Sequence, residues 1–159
     1  MTPRGRILLA EDTLANVKLY QTILERAGYH VAVASHGLDA VDKALEERFD
    51  LILMDVGLPR IDGVEAATRI RAGDGPMAQA PIIALTADDD LKVRRSCEGA
   101  GMNGYLTKPV SPGELLQRIA NTTALYHDAE HTMMVTLVGQ EIIRGRLLSE
   151  ALKPEDWLH

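Results

Sequence analysis

Residues 51–63 read Leu-Ile-Leu-Met-Asp-Val-Gly-Leu-Pro-Arg-Ile-Asp-Gly. The first four residues form an apolar run, and Asp55 follows them directly. A short run that is apolar at every position is typical of a strand buried on both faces of a parallel sheet. A helical pattern follows from Gly63 to Ala72. The stretch therefore predicts a strand, a loop and a helix, with Asp55 at the carboxyl end of the strand.

The same alternation recurs along the chain. Apolar runs predict strands at Ile7 to Ala10, Val31 to Ala34, Leu51 to Met54, Ile82 to Leu85 and Gly104 to Leu106. Helical spacing predicts helices from Leu14 to a stop at Ala27-Gly28, Leu38 to Glu47, Gly63 to Ala72, Leu91 to Ala100 and Pro112 to Ala124, the last with Ser111 as its N-cap. Five strand-helix units predict an α/β fold with an open, doubly wound parallel sheet, whose ligands bind beyond the carboxyl ends of the strands.

Composition excludes several classes of function. The 159 residues, 46% apolar and 25% charged, have the balance of one compact domain. A net charge of −6 argues against nucleic acid or an anionic membrane as a partner. No apolar stretch approaches the roughly 18 residues of a membrane span, and the start lacks a signal-peptide pattern, so we expect a cytoplasmic protein.

Polar residues follow four of the predicted strands at their carboxyl ends. Glu11 and Asp12 follow the first strand, Asp55 the third, Thr86 the fourth and Lys108 the fifth. These ends meet at one edge of a parallel sheet, so we expect the side chains to converge. Three carboxylates in one crevice repel one another unless they share protons or bind a cation. Mg²⁺ prefers oxygen ligands, and with a hydroxyl and an ammonium nearby it suits phosphoryl chemistry.

Four motifs together resemble the response-regulator receiver family of two-component signalling. They are Glu11-Asp12, the run from Asp55 to Gly63, Thr86-Ala87 and Lys108-Pro109, and the resemblance covers roughly residues 5 to 124. It implies a flavodoxin-like sheet of five strands in the order 2-1-3-4-5 with five helices. Asn16 and the run from Ala100 to Pro109 resemble receivers attached to hybrid sensor kinases.

The resemblance also implies a metal site and a phosphoacceptor. By this likeness Asp55 accepts the phosphoryl group, Asp12 binds Mg²⁺ directly, Glu11 binds it through water, and Gly57 offers its main-chain carbonyl. The phosphoryl donor would be a phosphohistidine on a histidine kinase or a histidine phosphotransfer protein. Leu58 and Ile61 stand where the family more often has methionines, which leaves the lifetime of the phosphorylated state open.

A switch is implied as well. Thr86 would hydrogen-bond the phosphoryl group, Lys108 would pair with it, and Tyr105 would change rotamer. The resemblance further predicts a cis Lys108-Pro109 bond and a remodelled face of the fourth helix, fifth strand and fifth helix, read by partners or by a second copy. Asp88, two positions after Thr86, is placed to orient an attacking water and to modulate dephosphorylation.

Two other functions have to be weighed against this one. A phosphatase of the haloacid dehalogenase type also uses a strand-end Asp, Mg²⁺ and a lysine, but it needs a second acid two residues later, where this chain has Gly57. A receiver-like module without phosphorylation is disfavoured because every reactive position is filled. Taken singly, each of these residues could be a loop carboxylate, a turn hydroxyl or a surface charge.

Some signals carry no functional prediction. Residues 99–104 fit GxGxxG but lie between a helix and a strand, the reverse of the order that binds pyrophosphate. His127 and His131 lack a third metal ligand nearby, and the single cysteine, Cys97, is expected to be buried or inert. Asp88 to Asp90 are assigned mainly to the start of the fourth helix.

The chain continues beyond the receiver, which we assign to residues 1–124. Residues 125–159 are too few for a winged-helix or enzymatic output domain. Apolar residues recur at roughly helical spacing from Val135 to Leu152, although two glycines oppose a helix. We predict a partly helical tail that docks on the receiver or on a second copy; the alternative is a disordered linker.

Overall fold

The structure, a computed structural model, describes residues 4–126 and divides the chain into two units, residues 1–122 and 123–159. In the first unit, five parallel strands form one sheet: β1 (Gly5–Ala10), β2 (Tyr29–Ala34), β3 (Leu51–Asp55), β4 (Ile82–Thr86) and β5 (Gly104–Thr107). Four helices alternate with them: α1 (Leu14–Arg26), α2 (Gly37–Glu46), α3 (Gly63–Ala72) and α4 (Leu91–Gly99). A fifth, α5, spans residues 112–126, so that of the second unit only a stretch of helix is described.

The strand order is β2-β1-β3-β4-β5, which confirms the predicted doubly wound α/β fold. β3 and β4 lie in the middle of the sheet and every residue in them is buried, as their continuous apolar runs predict. Leu53 of β3 and Ile83 of β4 belong to a hydrophobic core that also contains Leu9 of β1. Leu115 and Ile119 of α5 belong to the same core. Helices packed on a parallel sheet leave the strand ends as the place where polar side chains can gather.

The strand register brings those ends to one level. Ala10 pairs with Met54, Asp55 with Leu85 and Thr86 with Thr107. The residues that follow β1 and β5, and those that end β3 and β4, therefore lie along one edge of the sheet.

Helix ends follow the predicted signals. Gly28, just after α1, has φ +98°, the left-handed conformation that glycine adopts at little cost. At the start of α4 the side chain of Asp90 accepts a hydrogen bond from the Lys92 N–H, and the Ser111 hydroxyl accepts one from Glu114 at the start of α5. The predicted N-cap role of Ser111 and the assignment of the acidic run to a helix start are therefore confirmed.

The loop after β3 is packed tightly against the backbone around it. A Cβ on Gly63 would overlap the carbonyl oxygen of Asp55, and one on Gly37 would overlap that of Ile61. Both glycines are buried first residues of helices, α3 and α2. Only a residue without a side chain lets these helices start so close to the loop.

Arg71, near the end of α3, ties this helix to two other segments. Its guanidinium donates to the carbonyl of Gly101 at 2.8 and 2.9 Å and to the Asn103 side chain at 2.9 Å. It also donates to the carbonyls of Met77 and Ala78, both at 3.2 Å. One side chain thus satisfies acceptors on the segments before β4 and before β5.

Within residues 4–126, no helix is long and apolar enough to cross a membrane. The predicted tail and the histidines His127 and His131 lie outside the described residues, apart from 125 and 126, which are helical.

Candidate functional site

Five polar residues predicted from the strand ends lie at the carboxyl edge of the sheet. Glu11 and Asp12 follow β1, Asp55 and Thr86 are the last residues of β3 and β4, and Lys108 follows β5. Glu11, Asp55 and Thr86 are buried, which is rare for groups of their polarity unless they have partners.

The three carboxylates form a compact cluster. One oxygen each from Glu11, Asp12 and Asp55 lie within 4.8 Å of one another. Glu11 is fully buried and Asp55 is 7% exposed, whereas Asp12 is exposed to solvent. The cluster therefore has a buried side and one side open to water.

Lys108 lies between the two buried acids. Its Nζ is 2.9 Å from Glu11 Oε2 and 3.2 Å from Asp55 Oδ2. Burial works against the charge on this ammonium, but the hydrogen bond to Glu11 and the charge of Asp55 outweigh it, and the pKa of Lys108 is raised. The contacts with both carboxylates thus favour the charged form of Lys108.

The charged form of Asp55 is disfavoured by its surroundings. Burial raises the pKa of Asp55, and the charge of Glu11 adds to the rise, while the Gly57 N–H and Lys108 work against it. Gly57 N–H donates to Asp55 Oδ1 at 3.1 Å. The carboxylate is therefore held in position by contacts that do not fully compensate its burial.

Glu11 has further partners that the sequence did not indicate. Its Oε1 accepts a hydrogen bond from the Thr13 N–H at 3.2 Å and another from the Asn16 side chain at 3.3 Å. The sequence singled out Asn16 only through its family likeness. The available signal is its place as the third residue of α1, in the first turn of the helix, because that turn begins beside the carboxyl end of β1.

The donor set fits a hard divalent cation. Its atoms are all carboxylate oxygens, and three carboxylates against one ammonium leave a net charge of two negative units. Mg²⁺ prefers oxygen ligands and retains several waters, which the exposed side at Asp12 can admit. Gly57 has no side chain to obstruct its carbonyl, so the predicted ligands are compatible with the metal.

Thr86 belongs to a small hydrogen-bonded loop. Its hydroxyl donates to the Asp88 carbonyl and accepts from the Asp88 N–H, both at 3.0 Å. The Asp88 side chain is exposed and accepts a hydrogen bond from the Asp90 N–H. Thr86 therefore has local partners that it would have to leave in order to bind a phosphoryl group.

The structure also locates three other features that the sequence singled out. Tyr105 is in β5, one strand away from Thr86, and its ring is half-buried under the side chain of Arg94. The Lys108-Pro109 bond is cis, as predicted. Cys97 is buried, and burial raises the pKa of its thiol, in keeping with an inert cysteine.

Comparison with known families and relatives gives consistent results. The model of the response regulator receiver domain matches residues 7–120, and a second model, Npun_R2479-like, matches residues 111–159. Sensor protein GacS of Pseudomonas syringae is 42% identical over 122 residues, which cover 76% of this chain and 14% of that protein. The polar-differentiation response regulator DivK of Brucella anthropi is 34% identical over 117 residues, which cover 71% of this chain and 91% of DivK. The chain thus spans a small part of the first relative and most of the second.

Solved structures show the same fold. The receiver domain of sensor histidine kinase PA1611 from Pseudomonas aeruginosa, which has a magnesium ion coordinated in its active site cleft, aligns with a TM-score of 0.71 at 39% identity and covers 76% of this chain and 98% of its own. Chemotaxis protein CheY4 of Vibrio cholerae aligns with a TM-score of 0.71 at 29% identity, over 74% and 98% of the two chains.

Proposed function

This chain belongs to the response regulator receiver domain family of two-component signalling, and from that premise we propose that Asp55 accepts a phosphoryl group with the help of Mg²⁺. One observation carries the proposal: Asp55 shares Lys108 with the buried Glu11, and Asp12 completes a carboxylate cluster within 4.8 Å. A nucleophile, a cation and a set of metal ligands thus occupy one sheet edge.

Glu11, Asp12, Asp55 and the carbonyl of Gly57 would hold the ion, Asp12 directly and Glu11 through water. Magnesium supplies positive charge that neutralises the oxygens of the transferring group. The PA1611 receiver domain has a magnesium ion coordinated in its active site cleft, which supports this part of the proposal.

The reaction is transfer from a phosphohistidine of a histidine kinase or a histidine phosphotransfer protein. A carboxylate oxygen of Asp55 attacks phosphorus in line, the bond from phosphorus to the imidazole nitrogen breaks, and the imidazole leaves with the electron pair. Lys108 then pairs with an oxygen of the bound phosphoryl group, and the Thr86 hydroxyl donates to another. The chain's residues act by positioning and by neutralising charge.

Dephosphorylation reverses this with water as the nucleophile, and it regenerates the Asp55 carboxylate and releases phosphate. Asp88 lies two residues after Thr86, and its exposed carboxylate would orient the water. The chain would therefore catalyse only its own phosphorylation and dephosphorylation.

Signal output follows from Thr86. When its hydroxyl turns to the phosphoryl group, Tyr105 moves into the space that Thr86 leaves, and the face formed by α4, β5 and α5 changes. Partners, or a second copy of the chain through this face or through the tail, would read that change. Nucleic acid and membranes are not expected partners.

The test uses the full chain with acetyl phosphate as a small acyl-phosphate donor. We expect intact-mass spectrometry to show one phosphoryl adduct that requires Mg²⁺, is lost on addition of base, and is absent in Asp55→Asn. Asp74→Asn removes an exposed carboxylate outside the site and should be labelled like the wild type. Retained labelling in Asp55→Asn, or labelling in excess EDTA, would refute the proposal.

A further inference from the structure

Arg94 of α4 links the aromatic ring of Tyr105 to the loop that precedes its helix. Its guanidinium carbon lies 4.6 Å from the centre of the Tyr105 ring, within the distance of a cation–π contact. The same guanidinium donates twice to Asp89 Oδ1, from Nε at 3.0 Å and from Nη2 at 2.6 Å. Two contacts in different directions therefore fix the planar head of Arg94.

Asp89 is itself coupled to the phosphorylation site through the chain. It lies between Asp88, whose main chain makes both hydrogen bonds of the Thr86 hydroxyl, and Asp90, the N-cap of α4. The loop between β4 and α4 is thus held at Thr86 on one side and at the helix start on the other. Between these two points, the side chain of Asp89 accepts the hydrogen bonds of Arg94.

We propose that Asp89 and Arg94 form a latch that holds Tyr105 in its present position until the Thr86 hydroxyl leaves the main chain of Asp88. The inference rests on the proposed function, since the movement of Thr86 toward a phosphoryl group on Asp55 is what opens the latch. Arg94 is a positioning residue in this scheme and does not touch the reacting atoms.

The order of events follows from the contacts. When Thr86 turns away, the Asp88 N–H and carbonyl lose their partner, and the loop rearranges to find others. Asp89 moves with the loop, Arg94 loses the carboxylate that orients it, and the ring of Tyr105 is freed. Arg94 and Tyr105 also line a cavity of about 230 Å³ with Cys97, Met102 and Arg118, so opening the latch changes the shape of the face that partners would read.

The latch sets the balance between the two positions of Tyr105 before phosphorylation. Both of its contacts are partly exposed, with 39% of the Arg94 side chain and 55% of the Asp89 side chain accessible. Removing a cation–π contact at such a site changes an equilibrium about two- to fivefold. By linkage, the same factor should favour phosphorylation, because the phosphoryl group and the freed ring belong to one state.

The experiment labels the full chain with 3-fluorotyrosine and records ¹⁹F spectra with and without Mg²⁺ and beryllofluoride, a mimic of the acyl phosphate. The chain has four tyrosines, so Tyr105→Phe identifies the relevant signal. In Arg94→Met without beryllofluoride, we expect the Tyr105 signal to move toward its position in the beryllofluoride-bound wild type. Asp89→Asn should move the signal in the same direction. Arg94→Lys should move it less, because lysine keeps the positive charge but lacks the planar guanidinium that donates twice to Asp89.

Loss of the cation also alters the field at the ring, so a second readout is needed. The apparent dissociation constant of beryllofluoride, measured by titration in the presence of Mg²⁺, should fall about two- to fivefold in Arg94→Met. The matched control is Arg95→Met, which removes the same charge from the next residue of α4. Arg95 is exposed, and its side chain makes no hydrogen bond or ion pair within residues 4–126. Arg95→Met should leave both the signal and the dissociation constant of beryllofluoride as in the wild type.

The outcomes separate the latch from the proposed function. If the wild-type Tyr105 signal responds to beryllofluoride but Arg94→Met matches Arg95→Met in signal and in affinity for beryllofluoride, the latch is wrong and the switch stands. If wild-type Tyr105 ignores beryllofluoride and Asp55 takes up no phosphoryl group, the proposed function fails, and the latch with it.

Discussion

Replacing Gly63 with alanine tests how closely α3 starts against Asp55, the proposed phosphoacceptor. The added Cβ would overlap the Asp55 carbonyl oxygen and would lie 2.9 Å from both the Asp55 carbonyl carbon and Val56 Cα. All three atoms belong to the backbone, so no side-chain rotation can relieve the contact. The Gly63 N–H also donates to the Val56 carbonyl at 2.9 Å, which holds the two segments together.

Overpacking of this kind costs about 1–3 kcal/mol of the free energy of unfolding. At roughly 4 °C per kcal/mol for a domain of this size, the melting temperature should fall by about 4–12 °C. Because the displaced backbone carries Asp55, the rate of phosphorylation by acetyl phosphate should fall as well.

The assay is thermal unfolding of the full chain followed by circular dichroism, with Gly113→Ala as the control. Gly113 lies in α5, and a Cβ there meets no atom within 4 Å, so alanine should be neutral or should stabilise by up to about 1 kcal/mol. If Gly63→Ala melts with the wild type, or if both variants lose stability equally, the close approach of α3 to the Asp55 backbone is wrong.

Three further predictions concern other charged or buried groups. Arg71→Lys should lose about 2 kcal/mol in urea unfolding, because a lysine cannot reach several carbonyls at once, whereas Arg69→Lys on the exposed side of α3 should lose under about 0.5 kcal/mol. In EDTA, Lys108→Met should lose up to about 3 kcal/mol of the free energy of unfolding measured in urea, because the buried Glu11 loses its cation. Mg²⁺ should restore more stability to this variant than to the wild type. Burial raises the pKa of Cys97, so at a given pH less of the thiol is ionised in the folded chain than in the unfolded chain. Because the side chain is also buried, iodoacetamide at pH 8 should label the folded chain at least about tenfold more slowly than the urea-unfolded chain, and equal rates would show that the thiol is accessible.

The fold could be predicted because apolar runs and strand ends are local properties of the sequence. The run before Asp55 predicts a strand to Met54, and the structure extends β3 by one residue because Asp55 pairs with Leu85 of β4. The convergence of Glu11, Asp55 and Lys108 follows from parallel strands of equal register, which bring their carboxyl ends together wherever the intervening helices lie.

The contacts of long side chains could not be predicted in the same way. Arg94 and Arg95 are adjacent and chemically identical, yet only Arg94 faces Tyr105, and the difference depends on the angle at which α4 packs beside β5. Arg71 likewise reaches residues 30 positions away in sequence, and nothing in its neighbours indicates those partners. Periodicity gives the face of a helix, but the position of a flexible charged head depends on tertiary distances that it does not contain.

The charges of the site explain why it suits a cation-dependent switch. Glu11 is compensated by Lys108, by the Thr13 N–H and by the Asn16 amide, so its burial does not depend on a metal. Asp12 is exposed, and burial raises the pKa of Asp55 despite its contacts with Lys108 and the Gly57 N–H, so these two carboxylates are less fully compensated than Glu11. A divalent ion there would neutralise their charge, and a phosphoryl group that then joins Asp55 would bring new charge to the same place. Lys108 would then have to pair with the phosphoryl group while keeping its contact with Glu11. The Thr86 hydroxyl makes its present hydrogen bonds to one residue of a short loop, Asp88. Because both bonds go to the main chain of one residue in an exposed loop, we expect a change in charge at Asp55 to be transmitted through Thr86.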